Sequence, residues 1–185
     1  MGDPRKLRKH VIGPRHPYSK ERLEEEIELM GVYGLRNKRE IYKASTRLRR
    51  YRARARKMLA LPEEIRNEQE KILVAKLYQL GILKEEKTSL DAVLSLSVQD
   101  FLNRRLQTIV RKLGLAATPY QARQFINHGH IGIKGHQIRE PSYHVDRVEE
   151  ELITYVPGSP LEDPDHTMRP STSIETSVEA GDSNE

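Results

Sequence analysis

Phe101-Leu-Asn-Arg-Arg-Leu-Gln-Thr-Ile-Val110 decides the fold, together with four blocks behind it: Gly114-Leu-Ala-Ala-Thr118, Gln121-Ala-Arg-Gln-Phe-Ile126, His128-Gly-His-Ile131 and Pro141-Ser-Tyr-His-Val145. Ser97 is a candidate cap for a helix running to Leu113, because Val98, Phe101, Leu102, Leu106, Ile109, Val110 and Leu113 share one side at helical spacing. Gly114 ends that helix. Thr118, with Pro119 at the first helical position, opens a shorter helix that stops near His128 with Gly129 behind it. Ile131, Ile133, Ile138, Val145 and Leu152 to Val156 then read as short strands, with turns at Gly135 and Pro141. The fold expected here is α+β: two helices packed on a small sheet.

Charge is segregated along the chain. Residues 1–60 carry 18 Lys+Arg against 7 Asp+Glu, and residues 61–100 carry 5 against 8. Residues 101–147 carry 8 against 2, and residues 148–185 carry 1 against 10. Two basic blocks with a near-neutral stretch between them imply a polyanion held at two places, and the acidic end implies a segment kept off it.

The chain divides into four segments: a basic extended N-terminus over 1–18, a helical basic region over 19–88, the helix-turn-helix with its small sheet over 89–156, and a disordered acidic tail over 157–185. Within the second, Ser19 caps a helix through Met30 that Gly31 and Gly34 break. Lys38 to Leu61 is a helix whose apolar positions Ile41, Ala44, Leu48, Tyr51, Ala55 and Met58 form one narrow stripe. Its other faces are cationic: Lys43, Arg47, Arg49, Arg50, Arg52, Arg54, Arg56 and Lys57. Such a density of like charge weakens an isolated helix and makes sense if phosphates neutralise it. Pro62 starts a third helix that Gly81 stops, with Ile65, Ile72, Leu73, Leu77 and Leu80 as its apolar face; Lys84 to Ser89 is the expected domain boundary.

Several chemistries find no support. With no cysteine there is neither a disulfide framework nor a thiolate metal site. Four histidines between 128 and 144 lack the spacing of a zinc set. No catalytic constellation and no nucleotide-cofactor loop is present, so neither catalytic residues nor a cofactor are expected. No run approaches the ~18 apolar residues of a membrane span, and no apolar leader comes after Met1; an intracellular, non-membrane protein is expected. A DNA reading of the helix-turn-helix is disfavoured because its second helix is short and strands come after it. The candidate RNA-contacting set is Arg47, Arg49, Arg50, Arg52, Arg54, Arg56 and Lys57 on the long helix, with Arg104, Arg105, Arg111, Lys112, Thr118, Gln121, Arg123, Gln124, His128, His130 and Lys134 in the second half.

Pro14-Arg-His-Pro-Tyr-Ser-Lys-Glu-Arg-Leu23 and Gly34-Leu-Arg-Asn-Lys-Arg-Glu40, together with the blocks from Phe101 to Ser142, resemble the universal small-subunit ribosomal protein four family in its archaeal and eukaryotic form. The resemblance implies a cytoplasmic, ribosome-bound protein that binds small-subunit ribosomal RNA at a helix junction of the 5′ domain. It also implies early assembly, neighbours in small-subunit proteins five and three, and influence on decoding accuracy near the messenger entrance. By it, the usual contacts of the RNA domain fall on Arg104, Arg105, Thr118, Gln121, Arg123, Gln124, His128 and His130. The zinc site of some bacterial members cannot carry over without cysteine, and Gln107 stands where many copies have an acidic residue. Two other readings carry the same domain: a small-subunit processing factor, and an RNA-modifying enzyme, which would need a catalytic domain that the basic helices before Phe101 do not supply.

Overall fold

The computed structural model describes residues 2, 11–85, 89–163 and 165–170. It is mostly helical, with a three-stranded antiparallel sheet at its C-terminal end. The first helix, α1, spans Lys20–Tyr33 and runs through the exposed Gly31, which a helix tolerates at a cost of about 1 kcal/mol. It stops at Gly34, whose left-handed φ of 58° lets Gly34 donate to the Gly31 carbonyl and Leu35 to that of Met30. Gly31 therefore does not break the helix as expected; Gly34 does.

The Arg-rich helix α2 spans Lys38–Leu59, and its stripe behaves as the periodicity predicts: Ile41, Ala44, Leu48, Ala55 and Met58 are buried. Helix α3, Glu63–Gln79, buries Leu73, Val74 and Leu77. Ile72, expected on its apolar face, is 71% exposed, and Ile65 is exposed too. α3 packs on α2 through a rotated face that takes Val74 in their place.

The region after it departs most from expectation. A short helix α4 (Leu90–Ser95) follows the connection, in a stretch to which the sequence reading assigned no element. The single helix expected from Ser97 to Leu113 is two, α5 (Val98–Asn103) and α6 (Leu106–Lys112). The N-terminal start holds: the backbone N–H of Ser97 donates to the Asp100 carboxylate at 2.7 Å. The break falls at Arg104 and Arg105, and its cause lies far away in sequence. Leu106 N–H donates to the Tyr143 carbonyl (2.8 Å) and Val145 N–H to the Arg104 carbonyl (3.0 Å), so residues 143–145 satisfy backbone groups that a continuous helix would use internally.

Thr118 caps α7 (Pro119–His128), its Oγ1 accepting from Gln121 N–H, and Gly129 closes it at φ 80°. The sheet order is β2-β1-β3, with β1 at Ile131–Ile133, β2 at His136–Gln137 and β3 at Ile153–Tyr155. Lys134 (φ 53°) and Gly135 (φ 78°) make the two-residue turn between β1 and β2, the geometry that suits the twist of a hairpin. Val145, expected in a strand, is instead a buried residue beside the Arg105–His144 bridge. The one-turn helix α8 (Arg147–Glu150) precedes β3.

Two cores result. One gathers α1 to α5 around Leu48, Leu77, Val93 and Phe101; the other gathers α6, α7 and the sheet around Leu106, Ile109, Phe125 and Ile131. The packing therefore divides between Leu102 and Leu106. The boundary expected at 84–89 falls inside the first core, because Leu90, Val93 and Leu96 fold back onto it. Past Pro157 the chain continues to pack: Leu161 is buried in the second core and Arg169 lies over the Tyr155 ring at 4.9 Å. The remainder of the expected tail, 171–185, lies outside the described residues.

A Cβ on Gly34 would meet Pro119 Cβ at 2.6 Å and Gln107 Nε2 at 2.9 Å, whereas Gly135, also at positive φ, faces open space. Gly34→Ala should therefore lower stability by about 2 kcal/mol or more, and Gly135→Ala by about 1 kcal/mol from backbone strain alone, measured by urea unfolding.

Candidate nucleic-acid interface

Burial of its apolar stripe fixes which way α2 turns its cations. Tyr51 stacks on Phe101 at 5.7 Å between ring centres, and this leaves Arg47, Arg49, Arg50, Arg54, Arg56 and Lys57 exposed. Arg52 is the exception: half-buried, its guanidinium donates to the Leu96 carbonyl, so it ties α2 to the end of α4. Among the described residues no carboxylate pairs with Arg47, Arg49, Arg54, Arg56 or Lys57. A run of exposed guanidinium groups without internal counter-ions is a surface built for an external polyanion.

The arginines of the second half are used differently. Arg105, 5% exposed, donates to Glu40 at 2.5 Å, and Arg123 donates to the same carboxylate oxygen at 2.6 Å. Arg123 Nε also donates to Gln107 Oε1, whose amide nitrogen donates to the carbonyls of Tyr33, Gly34 and Pro119 at 3.2, 2.9 and 2.8 Å. Gln107 is fully buried, and it can donate to these carbonyls because it is an amide. Arg104 donates to Glu150 at 2.6 Å and to the Val145 carbonyl at 2.9 Å. Arg104, Arg105 and Arg123 thus have their guanidinium groups engaged within the chain, and Arg105 and Arg123 join its two halves.

Burial alone would raise the Glu40 pKa; hydrogen bonds and charge from Arg123 and Arg105 outweigh it and hold the carboxyl below its usual range. The pKa of the partner is lowered too, which for an arginine disfavours the charged form. Burial lowers the Arg105 pKa, with Arg123 and Arg47 adding repulsion that Glu40 only partly offsets.

The remaining candidates divide by exposure. Arg111 and Lys112 at the end of α6, Gln124 and His128 on α7, and Lys134 in the hairpin turn are exposed. Thr118 serves as cap. Gln121 accepts from Ala117 N–H at 2.7 Å and donates to the Met168 carbonyl at 2.8 Å, while His130 Nδ1 meets Ser159 Oγ at 2.8 Å. The segment after Pro157 therefore already touches two of the residues expected to meet RNA.

The fold also brings together residues that sequence reasoning did not join. The loop Glu140–His144 faces α2, and the two line a continuous cleft with cavities of about 590 and 280 Å³. His144 sits there beneath Arg47, Arg105 and Arg104. Burial first, and then these cations, push its pKa down to about 4, so the imidazole is neutral at neutral pH. Its approach to α2 depends on the non-local bridge to Arg105, which no local pattern announces. Among the described residues no group of His, Asp or Glu is arranged to hold a metal ion.

Comparison with known proteins divides the chain where the two cores divide. Residues 5–103 match the family described as Ribosomal protein S4/S9 N-terminal domain, and residues 104–152 match the S4 domain. The chain is thus an S4-domain protein with an S4/S9-type N-terminal half. Relatives named small ribosomal subunit protein uS4 include one from Ignicoccus hospitalis, 59% identical over 86% of this chain and 96% of its own. Those from Hyperthermus butylicus (58%, covering 86% and 90%) and Sulfolobus acidocaldarius (54%, covering 87% and 92%) are similar. This chain belongs to the small ribosomal subunit protein uS4 family, a family of structural ribosomal proteins and not of enzymes.

Glu40→Gln removes the charge that two arginines share and should destabilise the protein by about 3 kcal/mol in chemical denaturation. The pH dependence has two parts. His144, with its folded pKa depressed to about 4, binds fewer protons folded than unfolded between that value and 6.5, so stability falls as pH drops through that window. Glu40, also depressed, adds a further loss as pH falls below the ordinary carboxylate range. Thermal melts of wild type and His144→Gln should lie closest at pH 7 and separate toward pH 4, the wild type losing more stability because only it has an imidazole to protonate.

Proposed function

We propose that this chain is a structural constituent of the small ribosomal subunit that binds small-subunit ribosomal RNA directly. The observation that carries the reading is the exposed cationic face of α2, where Arg47, Arg49, Arg54 and Arg56 lack carboxylate partners among the described residues. Phosphates supply the missing counter-ions, and guanidinium forks match them in geometry. Arg111, Lys112, Gln124, His128 and Lys134 add a second set of contacts on the S4 domain. Because the two halves are tied by Glu40, both sets are presented with a fixed relative geometry, which suits recognition of a folded junction by shape.

From the family resemblance we further infer the location: a helix junction in the 5′ domain, bound early so that it nucleates that domain, beside small-subunit proteins five and three. There the protein lies near the messenger entrance and contributes to decoding accuracy, on the ribosome in the cytoplasm. Among the described residues no helix is long and apolar enough to cross a membrane.

Equilibrium binding to the 5′-domain RNA, with a large-subunit junction of equal length as competitor, tests the reading. Selective binding is expected, falling by roughly 10³–10⁵ between 50 and 200 mM salt if about 6–10 phosphates are neutralised. Arg49→Ala should weaken binding and reduce the salt slope by about one, whereas Arg123→Ala should act mainly by loosening the fold. Equal affinity for both RNAs would overturn the assignment.

A further inference from the structure

The cleft between α2 and the loop 140–144 has chemistry that phosphate attraction alone does not require. Arg47, Arg50 and Arg54 recur at three- and four-residue spacing, so they line one edge of it together. Beneath them the floor is apolar and aromatic: Tyr51, stacked on Phe101, with Leu80 and Ile82 alongside. The facing wall is Tyr143 and His144, with the Glu140 carboxylate accepting from Ser142 Oγ at 2.8 Å at its mouth.

A simple phosphate-binding surface needs cations over a polar, wet floor. This cleft sets cations around an aromatic one, and its larger cavity of about 590 Å³ lies within the range of small-ligand sites. The matching ligand has a planar aromatic part joined to an anion. A duplex hides its bases in the stack, so a base can reach the floor only when unstacked. We propose that this cleft seats one unstacked nucleotide of the bound RNA, its base against Tyr51 and Tyr143 and its phosphate among Arg47, Arg50 and Arg54.

The proposal rests on the RNA reading above and makes it specific. The neutral His144 offers one donor and one acceptor to a base edge, and Glu140 offers a carboxylate acceptor for an exocyclic amino group. The smaller cavity, which shares Arg47, Arg50 and His144 with the larger and adds Lys43, gives the adjoining sugar-phosphate a path out of the cleft.

The test uses the full chain and 5′-domain RNA carrying 4-thiouridine, with cross-linked residues mapped by mass spectrometry. Cross-links to Tyr51 or Tyr143 are expected. In parallel, Tyr51→Leu should weaken binding about tenfold through lost stacking while leaving the salt slope unchanged, unlike Arg49→Ala, which lowers the slope. Tyr51 also packs on Phe101, so Ser142→Trp serves as a second variant; it fills the cleft from a loop whose serine hydroxyl, among the described residues, bonds to the exposed Glu140, and should weaken binding similarly. Cross-links confined to the outer face of α2 or to α6 and α7, or wild-type affinity in both variants, would overturn the seat and leave RNA binding standing. Absence of selective RNA binding by the wild-type chain would overturn both.

Discussion

One carboxylate holds the architecture together. Glu40, at the start of α2, receives Arg105 and Arg123 from the other half of the chain, and both bonds are short. Removing either partner would leave a charge in a largely buried place, which is far costlier than losing an exposed ion pair. Around it, Gln107 donates to three carbonyls, from the end of α1 and the start of α7, through a gap that exists because Gly34 has no side chain. The joint is therefore polar and largely buried, with the Arg105 Nε left without a hydrogen-bond partner. It sets the two cores at one angle, and with them the cationic face of α2 against the loop 140–144.

This constraint sorts the arginines into two classes with different work. Arg47, Arg49, Arg54 and Arg56 are exposed along α2, have no carboxylate partner among the described residues and are left for an anion outside the protein. Arg52, Arg104, Arg105 and Arg123 donate to carbonyls and carboxylates within it. Pairing a few arginines internally orients the rest, and a rigid array of cations can match a folded RNA by shape where a flexible one would bind any polyanion.

What the sequence made legible was whatever local periodicity controls. The α2 stripe, the Thr118–Pro119 start and Gly129 stop of α7, and the α+β class come from residues near one another in the chain. What it concealed was non-local. Nothing between Ser97 and Leu113 announces that residues 143–145 will take backbone hydrogen bonds at Arg104 and Arg105 and split the helix. Equally, a list of cations cannot separate Arg49 from Arg105, since that difference depends on where Glu40 ends up, 65 residues away from Arg105. The burial of Leu161, within a stretch rich in Ser, Pro and acidic residues, was hidden for the same reason: one apolar side chain in a polar segment has no period to reveal it.

The division of the arginines is the central claim, and covalent footprinting of guanidinium groups reads it directly. The chain would be treated with an arginine-selective dicarbonyl, free and bound to 5′-domain RNA, and modification tracked residue by residue. Arg47, Arg49, Arg54 and Arg56 should react in the free chain and be protected by RNA, while Arg105 and Arg123 stay unreactive in both. Reactive Arg105 and Arg123 that become protected only on RNA binding would contradict this division, because those two would then be RNA ligands and not the bolts that join the halves.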